Sequence, residues 1–302
     1  MTVTRRTKPQ STVQPLLTIV GDDPTEEAPH PAPVPAAVRG RKQGGVTVRA
    51  AAQIATIGVH RTPRHLYYFN GRGPWPGVTG VTDVLDKPAL LRWHKEQIAL
   101  AALTYAERLV ADREAGNADA AVAFLLGARN AGTDGRERGS RIHAVLESIL
   151  RHEPTAIQPQ DQGAIAGART WLNEHDVVPL EIEAYLINET LGFGGTCDLI
   201  AEIDGDVWLL DWKTSKSVAW PDGRVYDDMR LQLAAYANAE FIARIGDVQG
   251  YELPAITRFG ILHVTDGGTK LYPADVTAED WTTFRACLWI HHWQQAMKKG
   301  AA

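Results

Sequence analysis

Cysteine is scarce in this sequence, with only Cys197 and Cys287 among 302 residues. Two cysteines cannot form a disulfide framework, and they are too few for a four-cysteine zinc or iron–sulfur site. No stretch reaches the roughly 18 apolar residues that a membrane span requires, and the N-terminus lacks the apolar core of a signal peptide. The phosphate-binding pattern Gly-x-x-x-x-Gly-Lys-Ser/Thr is also missing. We therefore expect a cytoplasmic protein that carries no iron–sulfur cluster, uses no ATP and does not enter a membrane.

Positive charge is also in deficit, because 31 Lys and Arg residues face 36 Asp and Glu residues for a net charge of -5. This balance excludes a protein that is positive over its whole surface, but it is compatible with a local basic groove. The hydrophobic content of 44% is enough for one large domain, or for one domain with a smaller helical partner.

The first 45 residues differ in composition from the rest of the chain. They are rich in Pro, Thr, Ala, Gly and charge, and alternate prolines over residues 29–35 deny a helix its hydrogen bonds. The sequence therefore predicts a disordered arm over residues 1–45. Its basic residues fit either a solvated tail, which the composition favours, or contacts with phosphates.

Helical patterns dominate the middle of the chain. A short strand at residues 65–69 and a Gly/Pro-rich turn at 70–74 come first. High alanine and leucine content with few helix breakers predicts helices over residues 88–114 and 118–130. Apolar residues at helical spacing predict another over 135–151, and a further helix is expected over 162–174. These segments make residues 46–133 an N-terminal strand and helical region. Its helical part, residues 88–130, could form an arch over a substrate or an oligomer contact.

The pattern changes at Val177, where apolar and polar residues begin to alternate as they do in a half-buried strand. Further elements follow in the order of three strands, helix, two strands and helix: residues 178–186, 194–203, 207–213, 228–245, 256–264, a short strand near Lys270, and 278–298. This order predicts an α/β core over residues 134–302, with a central mixed sheet flanked by helices.

A two-residue hairpin fixes the register of two of these strands. Asp204-Gly205 is a strong turn signal because both residue types accept positive φ. In the register that this turn sets, Asp198 lies directly opposite Asp211, with their Cβ atoms about 4.5 to 5.5 Å apart. Lys213, two residues beyond Asp211, points to the same face.

Two opposed carboxylates repel each other and destabilise a plain hairpin unless a cation lies between them. A divalent metal ion supplies that charge, and Lys213 adds an ammonium that can orient a water molecule or stabilise a phosphate. Such a set suits phosphodiester hydrolysis. In the alternative interpretation, Asp198 is a turn residue and Lys213 forms an ordinary surface ion pair with Asp211.

Four blocks of the sequence resemble the signature motifs of one nuclease family. They are Gly139-Ser140-Arg141-Ile142-His143, Gly194-Gly195-Thr196-Cys197-Asp198, Asp211-Trp212-Lys213-Thr214-Ser215-Lys216 and Gln232-Leu233-Ala234-Ala235-Tyr236. In this order they are similar to the G-x-x-x-H, glycine-led Asp, D-x-K-T and Q-x-x-x-Y motifs of the RecB-like branch of the PD-(D/E)XK superfamily. The resemblance covers about residues 135–245. It implies a restriction-endonuclease-like core, and relatives include phage and CRISPR-adaptation exonucleases.

The resemblance also implies roles for particular residues. Asp198 and Asp211 would be metal ligands and Lys213 the catalytic lysine. His143 would be a further metal ligand, and the main-chain carbonyl of Trp212 is another candidate. The metal would be magnesium or manganese, and an imidazole ligand favours manganese. Some relatives hold an iron–sulfur cluster with four cysteines, which this sequence cannot do.

Other residues near the motifs allow two interpretations. Gln232 and Tyr236 share one helical face, directed either toward DNA and the active site or into packing against the sheet. Glu183 is the candidate for a second acidic group, with Glu181 as its rival on the same strand face. Several basic residues are candidates for phosphate contacts: Arg136, Arg138, Arg141, Lys216, Arg224 and Arg230. Trp212, Trp220 and Tyr226 either stack on bases or pack in the core, and packing is favoured for Trp212.

Three functions remain open at this point. The first is an exonuclease that processes DNA ends in recombination or repair, with DNA and a single-strand annealing or recombination protein as partners. The second is a structure-specific or restriction-type endonuclease. The third, from another class, is a non-catalytic DNA-end-binding module, against which the intact Asp198, Asp211 and Lys213 argue. If the gene belongs to a phage, the compartment would be the host cytoplasm. The sequence leaves the oligomeric state open.

Overall fold

The computed structural model describes residues 58–128, 132–216 and 225–300. The arm predicted over residues 1–45 lies outside these ranges. Ten strands lie within them: β1 (Val59–Arg61), β2 (Leu66–Phe69), β3 (Arg72–Pro76), β4 (Val178–Asn188), β5 (Phe193–Ile203), β6 (Asp206–Thr214), β7 (Phe241–Ala243), β8 (Gly250–Tyr251), β9 (Arg258–Thr265) and β10 (Gly268–Pro273).

The same ranges contain eight α-helices: α1 (Val78–Thr82), α2 (Pro88–Thr104), α3 (Ala106–Glu114), α4 (Ala118–Ala128), α5 (Gly132–Leu150), α6 (Gln162–Glu174), α7 (Asp227–Ala237) and α8 (Ala278–Gly300). A helical region therefore precedes the core, as the sequence predicts. In the described part of the chain, no helix combines the length and the apolar character needed to cross a membrane.

Seven strands form the central sheet in the order β10-β9-β6-β5-β4-β7-β8. Only β6 and β9 run parallel; the other neighbours are antiparallel, so the sheet is mixed, as predicted. Alternate residues of its strands feed two cores. Leu199 and Leu210 pack against α5 and α6, whereas Ile200 and Leu209 pack against α1, α7 and α8. This α/β architecture, with helices on both faces of the sheet, is consistent with a restriction-endonuclease-like core.

Three local predictions were wrong. The helix predicted over residues 228–245 ends at Ala237, because residues 241–243 pair as β7 with the edge of β4. The helix predicted over residues 88–114 breaks at Tyr105 into α2 and α3. The turn predicted over residues 70–74 is shorter: Asn70 and Gly71 take positive φ values of 49° and 77° and form a two-residue hairpin, and β3 begins at Arg72.

Strands β1, β2 and β3 form a separate small sheet that packs on the central sheet. Tyr67 of β2 reaches the hydroxyl of Thr196 on β5 at 3.0 Å, and an isolated bridge joins Gly77 to Gly194. These contacts place one edge of the small sheet beside the hairpin that carries Asp198.

Candidate active site

The hairpin between β5 and β6 has the register that the sequence predicts. Asp204 and Gly205 take positive φ values of 53° and 82°, and the paired residues run from Ile203 opposite Asp206 to Leu199 opposite Leu210. The next position in this register places Asp198 beside Asp211. Both carboxylates are buried, at 7% and 3% exposure.

A third carboxylate extends this pair onto β4. Ile182 pairs with Leu199 and Ala184 with Cys197, so Glu183 lies opposite Asp198. We call Glu183, Asp198 and Asp211 the carboxylate row. Glu181, the rival candidate, instead forms an ion pair with Arg244 at 2.5 Å. A register shift between Pro179 and Glu181 and a positive φ of 51° at Glu183 accompany this placement.

His143 reaches the carboxylate row from α5. The buried Ile142 and Leu146 fix the helix on the core, and the His143 Nδ1 atom lies 3.3 Å from Asp198 Oδ1. Ligand atoms of His143, Glu183 and Asp198 all lie within 4.8 Å of one another. The predicted histidine and two of the predicted acidic residues thus meet at one point.

The remaining oxygen of Asp198 is held by the backbone. Asp198 Oδ2 accepts a hydrogen bond from the Trp212 N–H at 2.6 Å, which fixes the carboxylate relative to β6. The Trp212 side chain is only 2% exposed and belongs to the core against α5 and α6. Its indole therefore packs and is not available to stack on a base.

A hydrogen-bond network joins Lys213 to α7. Lys213 Nζ forms an ion pair with Asp211 Oδ2 and donates to Gln232 Oε1 at 3.3 Å. The Gln232 amide in turn donates to Asp211 Oδ1 at 2.8 Å and to the Tyr236 hydroxyl at 2.9 Å. Tyr236 completes the chain by donating to the Thr196 carbonyl at 2.8 Å. Gln232 therefore faces the site, whereas the buried Tyr236 ring packs and its hydroxyl supports Gln232.

The two glycines before Asp198 make room for aromatic rings. A Cβ on Gly195 would lie 2.3 Å from Tyr236 Cε1, and one on Gly194 would lie 2.6 Å from Tyr67 Cγ. Real Cβ atoms do not approach so closely, so both rings require a glycine beneath them. The glycine-led motif thus serves packing that positions the Gln232 network.

We expect Gly195→Ala to lower both stability and any activity of the site. The new methyl group must displace Tyr236, which costs about 1 to 3 kcal/mol as overpacking does and loosens Gln232 from Asp211. Thermal unfolding and a cleavage assay measure the two effects. Gly127→Ala in α4 is the matched control, because its Cβ would meet no atom within 4 Å. Equal effects of the two substitutions would contradict the packing argument.

The titration of the site reflects crowded charge. Burial and the neighbouring Asp198 raise the pKa of Glu183 to about 7, and burial also raises the pKa of Asp211 to about 6 although Lys213 opposes this. Burial alone would lower the pKa of His143, but the Asp198 carboxylate raises it overall. Burial would raise the pKa of Asp198, but His143 and Lys213 hold it below its usual value. In the metal-free site Glu183 therefore exchanges its proton near neutral pH, whereas Asp211 takes up a proton only in mildly acidic solution.

These groups line one cavity of about 680 Å³. Its ionisable lining residues are Arg61, His65, Tyr67, Arg136, His143, Glu147, Glu183, Asp198, Asp211, Lys213, Tyr236 and His263. Sequence reasoning missed Arg61 and Tyr67, which come from the small sheet about 130 residues before Asp198 and adjoin no recognisable motif. Only the packing of the two sheets brings them to the site.

This chain is similar to known proteins only over part of its length or at low identity. No protein-family model matches the sequence. Human mitochondrial genome maintenance exonuclease 1 is 32% identical over 106 residues, which cover 34% of this chain and 30% of the human protein. The chain thus spans less than a third of that relative's length. The crystal structure of SSO0001 aligns with 72% of this chain and 75% of its own at 15% identity, but its TM-score of 0.32 supports no argument.

Of the predicted DNA contacts, Arg136 lines the cavity, and several others lie away from it. Arg138 is buried and binds Asp161 and Asp266, and Arg141 Nε donates to the other oxygen of Asp161 at 3.1 Å. Further candidates either point elsewhere or cannot be described. Lys216 is exposed and does not line the cavity, Arg230 pairs with Asp280 at 3.2 Å, Tyr226 is exposed outside the cavity, and Trp220 and Arg224 lie outside the described residues.

The donor set fits a hard divalent cation. Carboxylate oxygens and one imidazole converge, which suits manganese and tolerates magnesium. Asp211 lies next to this group, with Oδ2 in an ion pair with Lys213 Nζ and Oδ1 accepting from Gln232. The ligand atoms that converge are those of His143, Glu183 and Asp198.

Proposed function

We propose that this protein is a metal-dependent DNA nuclease of the RecB-like branch of the PD-(D/E)XK superfamily. We further propose that it is an exonuclease that hydrolyses phosphodiester bonds at DNA ends in recombination or repair. The observation that carries the proposal is the carboxylate row with His143 and Lys213 in one cavity. The similarity to a human protein named as an exonuclease supports the choice of exonuclease over endonuclease.

His143 and the carboxylate row would hold the metal. Bound there, magnesium or manganese supplies positive charge that stabilises the phosphate and lowers the pKa of a coordinated water. The protein fixes these ligands before substrate arrives. The Trp212 N–H holds Asp198, and Gln232 holds Asp211. Preorganised ligands need no rearrangement during the reaction, which lowers its barrier.

Lys213 supplies the remaining positive charge. The Asp211 carboxylate raises the pKa of Lys213 although burial opposes this, so the ammonium stays charged throughout the neutral range. It can stabilise the charge that develops on the phosphate oxygens during attack by water, or orient that water. Gln232 accepts from the ammonium at 3.3 Å and thereby limits where Lys213 can point.

A substrate panel tests the proposal. Purified protein is incubated with linear and covalently closed circular DNA, single and double stranded, with magnesium, manganese or EDTA. We expect linear DNA to be degraded from its ends only when metal is present, and circular DNA to survive. Cutting of circles would replace the exonuclease by an endonuclease. Tight binding of DNA ends without cleavage in either metal would indicate a binding module and contradict the proposal.

A further inference from the structure

One arginine of the cavity belongs to no motif of the core. Arg61 ends β1 in the small sheet, is exposed, and lines the cavity that contains the carboxylate row. Its guanidinium donates to Thr196 Oγ1 at 3.4 Å, and the same hydroxyl lies 3.0 Å from the Tyr67 hydroxyl. The neighbouring β2 strand thus fixes the point on β5 to which Arg61 reaches.

The charge of Arg61 has no carboxylate partner within ion-pair distance among the described residues. On α5, Arg138 and Arg141 both bind Asp161, whereas Arg136, like Arg61, is exposed and lines the cavity. Glu183 is near enough to interact electrostatically with Arg61 but makes no contact of 4.0 Å or less with it. An exposed guanidinium on a cavity wall, held by the hydroxyls of Thr196 and Tyr67, keeps most of its five donors for a ligand.

The register of the sheet places Arg61 on the same side of the carboxylate row as Lys213. Tyr185 pairs with Thr196, one step of the strand face away from Glu183 and Asp198. Extending the hairpin register from Leu199 opposite Leu210 sets Lys213 level with Thr196. The backbone positions of Thr196, which Arg61 contacts, and of Lys213 therefore lie on one side of the row, about 6 to 7 Å along their strands from it. The Lys213 side chain reaches back from there to Asp211. The cavity thus combines a row of carboxylates with two cations on one side of it.

We propose that Arg61 binds a backbone phosphate of the substrate strand next to the phosphate held at the carboxylate row. The inference rests on the proposed function, because it takes DNA as the ligand. A planar guanidinium offers two parallel donors to two phosphate oxygens, which fixes the strand's position without reading its bases. Arg61 is then a substrate-positioning residue supplied by the small sheet.

The test measures binding without cleavage. Calcium replaces magnesium or manganese, a fluorescent single-stranded oligonucleotide reports binding by anisotropy over a range of salt concentrations, and gel electrophoresis verifies that the oligonucleotide stays intact. We expect Arg61→Gln to weaken binding roughly tenfold or more, as loss of a charge-assisted contact does. The slope of log affinity against log salt should become shallower by about 0.7, because one phosphate contact is lost.

Arg64→Gln is the matched control. Arg64 lies in the turn between β1 and β2, is exposed and does not line the cavity. Its replacement by glutamine changes the net charge by the same amount as Arg61→Gln. Equal affinities and slopes for the two glutamine variants would overturn the inference. Arg61→Lys should keep the slope but lose several-fold in affinity, since lysine lacks the fork. If Arg61→Gln unfolds early, this lysine variant decides, and unchanged affinity would overturn the inference.

Cleavage assays on the same preparations separate this inference from the proposed function. A wild-type protein that cuts DNA, with Arg61→Gln binding like the control, overturns only the role of Arg61. A wild-type protein that binds DNA through Arg61 but never cuts supports the phosphate site and contradicts the nuclease. Absence of binding by the wild type would overturn both. When cleavage occurs, we expect Arg61→Gln to raise KM more than it lowers kcat.

Discussion

Lys213→Ala is expected to lower DNA cleavage by about 100- to 1,000-fold, the range seen when one group that stabilises a transition state is removed. The ammonium lies against Asp211 and is aimed by Gln232, so no other described cation can take its place at that carboxylate. Initial rates of nucleotide release from linear DNA with saturating manganese measure the loss. Lys270→Ala, another strand lysine that does not line the cavity, should leave the rate unchanged.

The same variant should still bind metal, because Lys213 is not a ligand. The metal ligands should keep their positions without the lysine, because the Trp212 N–H still donates to Asp198 and Gln232 still donates to Asp211. Calorimetric titration with manganese should therefore give a similar affinity for Lys213→Ala, whereas Asp198→Asn should lose both metal binding and cleavage. A Lys213→Ala protein that cuts at the wild-type rate would remove the lysine from the proposed mechanism.

The sequence allowed the pair of aspartates to be located because a single turn controls their register. Asp204-Gly205 accepts two positive φ values at little cost, and every pair along the hairpin follows from that turn. The third carboxylate could not be located in the same way. In a regular strand Glu181 and Glu183 lie on the same face, so the sequence does not show which of them is next to Asp198. Only the register shift after Pro179 and the positive φ of Glu183 decide this.

Contacts between distant segments were equally hidden from sequence reasoning. The end of α7 was misassigned because residues 241–243 gain their strand conformation from pairing with β4, which no local pattern reports. Nearness to a motif places only some of the candidate phosphate contacts at the cavity, which Arg136 lines. Arg138 and Arg141 stand beside His143 in sequence but bind Asp161, whereas Arg61 lies far away in sequence and lines the cavity. Side-chain partners, rather than sequence position, decide which charges remain available to a ligand.

Glu183→Gln is expected to stabilise the metal-free protein at pH 8 while removing metal binding and cleavage. The pKa of Glu183 is raised from 4.5 to about 7, so the folded protein binds this proton more tightly than the unfolded chain does. Stability is therefore lost as pH rises from about 4.5 through 7, when folding requires an ionised Glu183 beside Asp198. A neutral glutamine avoids that cost, which is on the order of 1 to 3 kcal/mol.

Thermal unfolding at pH 5 and pH 8, with EDTA or manganese, measures this effect. In EDTA the advantage of Glu183→Gln over the wild type should be clear at pH 8 and much smaller at pH 5, where the wild-type carboxyl is protonated. Glu181→Gln is the matched control, because Glu181 lies two residues away on β4 but pairs with Arg244 outside the row.

Manganese reverses the ranking for a physical reason. The metal binds the ionised carboxylate row, so it must compete with protons on Glu183 and on Asp211, whose pKa is raised to about 6. The wild type should gain more from manganese at pH 8 than at pH 5, and the gain at pH 8 is about 2.7 kcal/mol when the free metal is 100 times its dissociation constant. Glu183→Gln should gain little at either pH. A glutamine variant that is no more stable than the wild type in EDTA at pH 8 would contradict this prediction. It would mean that an ionised Glu183 does not destabilise the fold, so that a metal ion has no repulsion between carboxylates to offset.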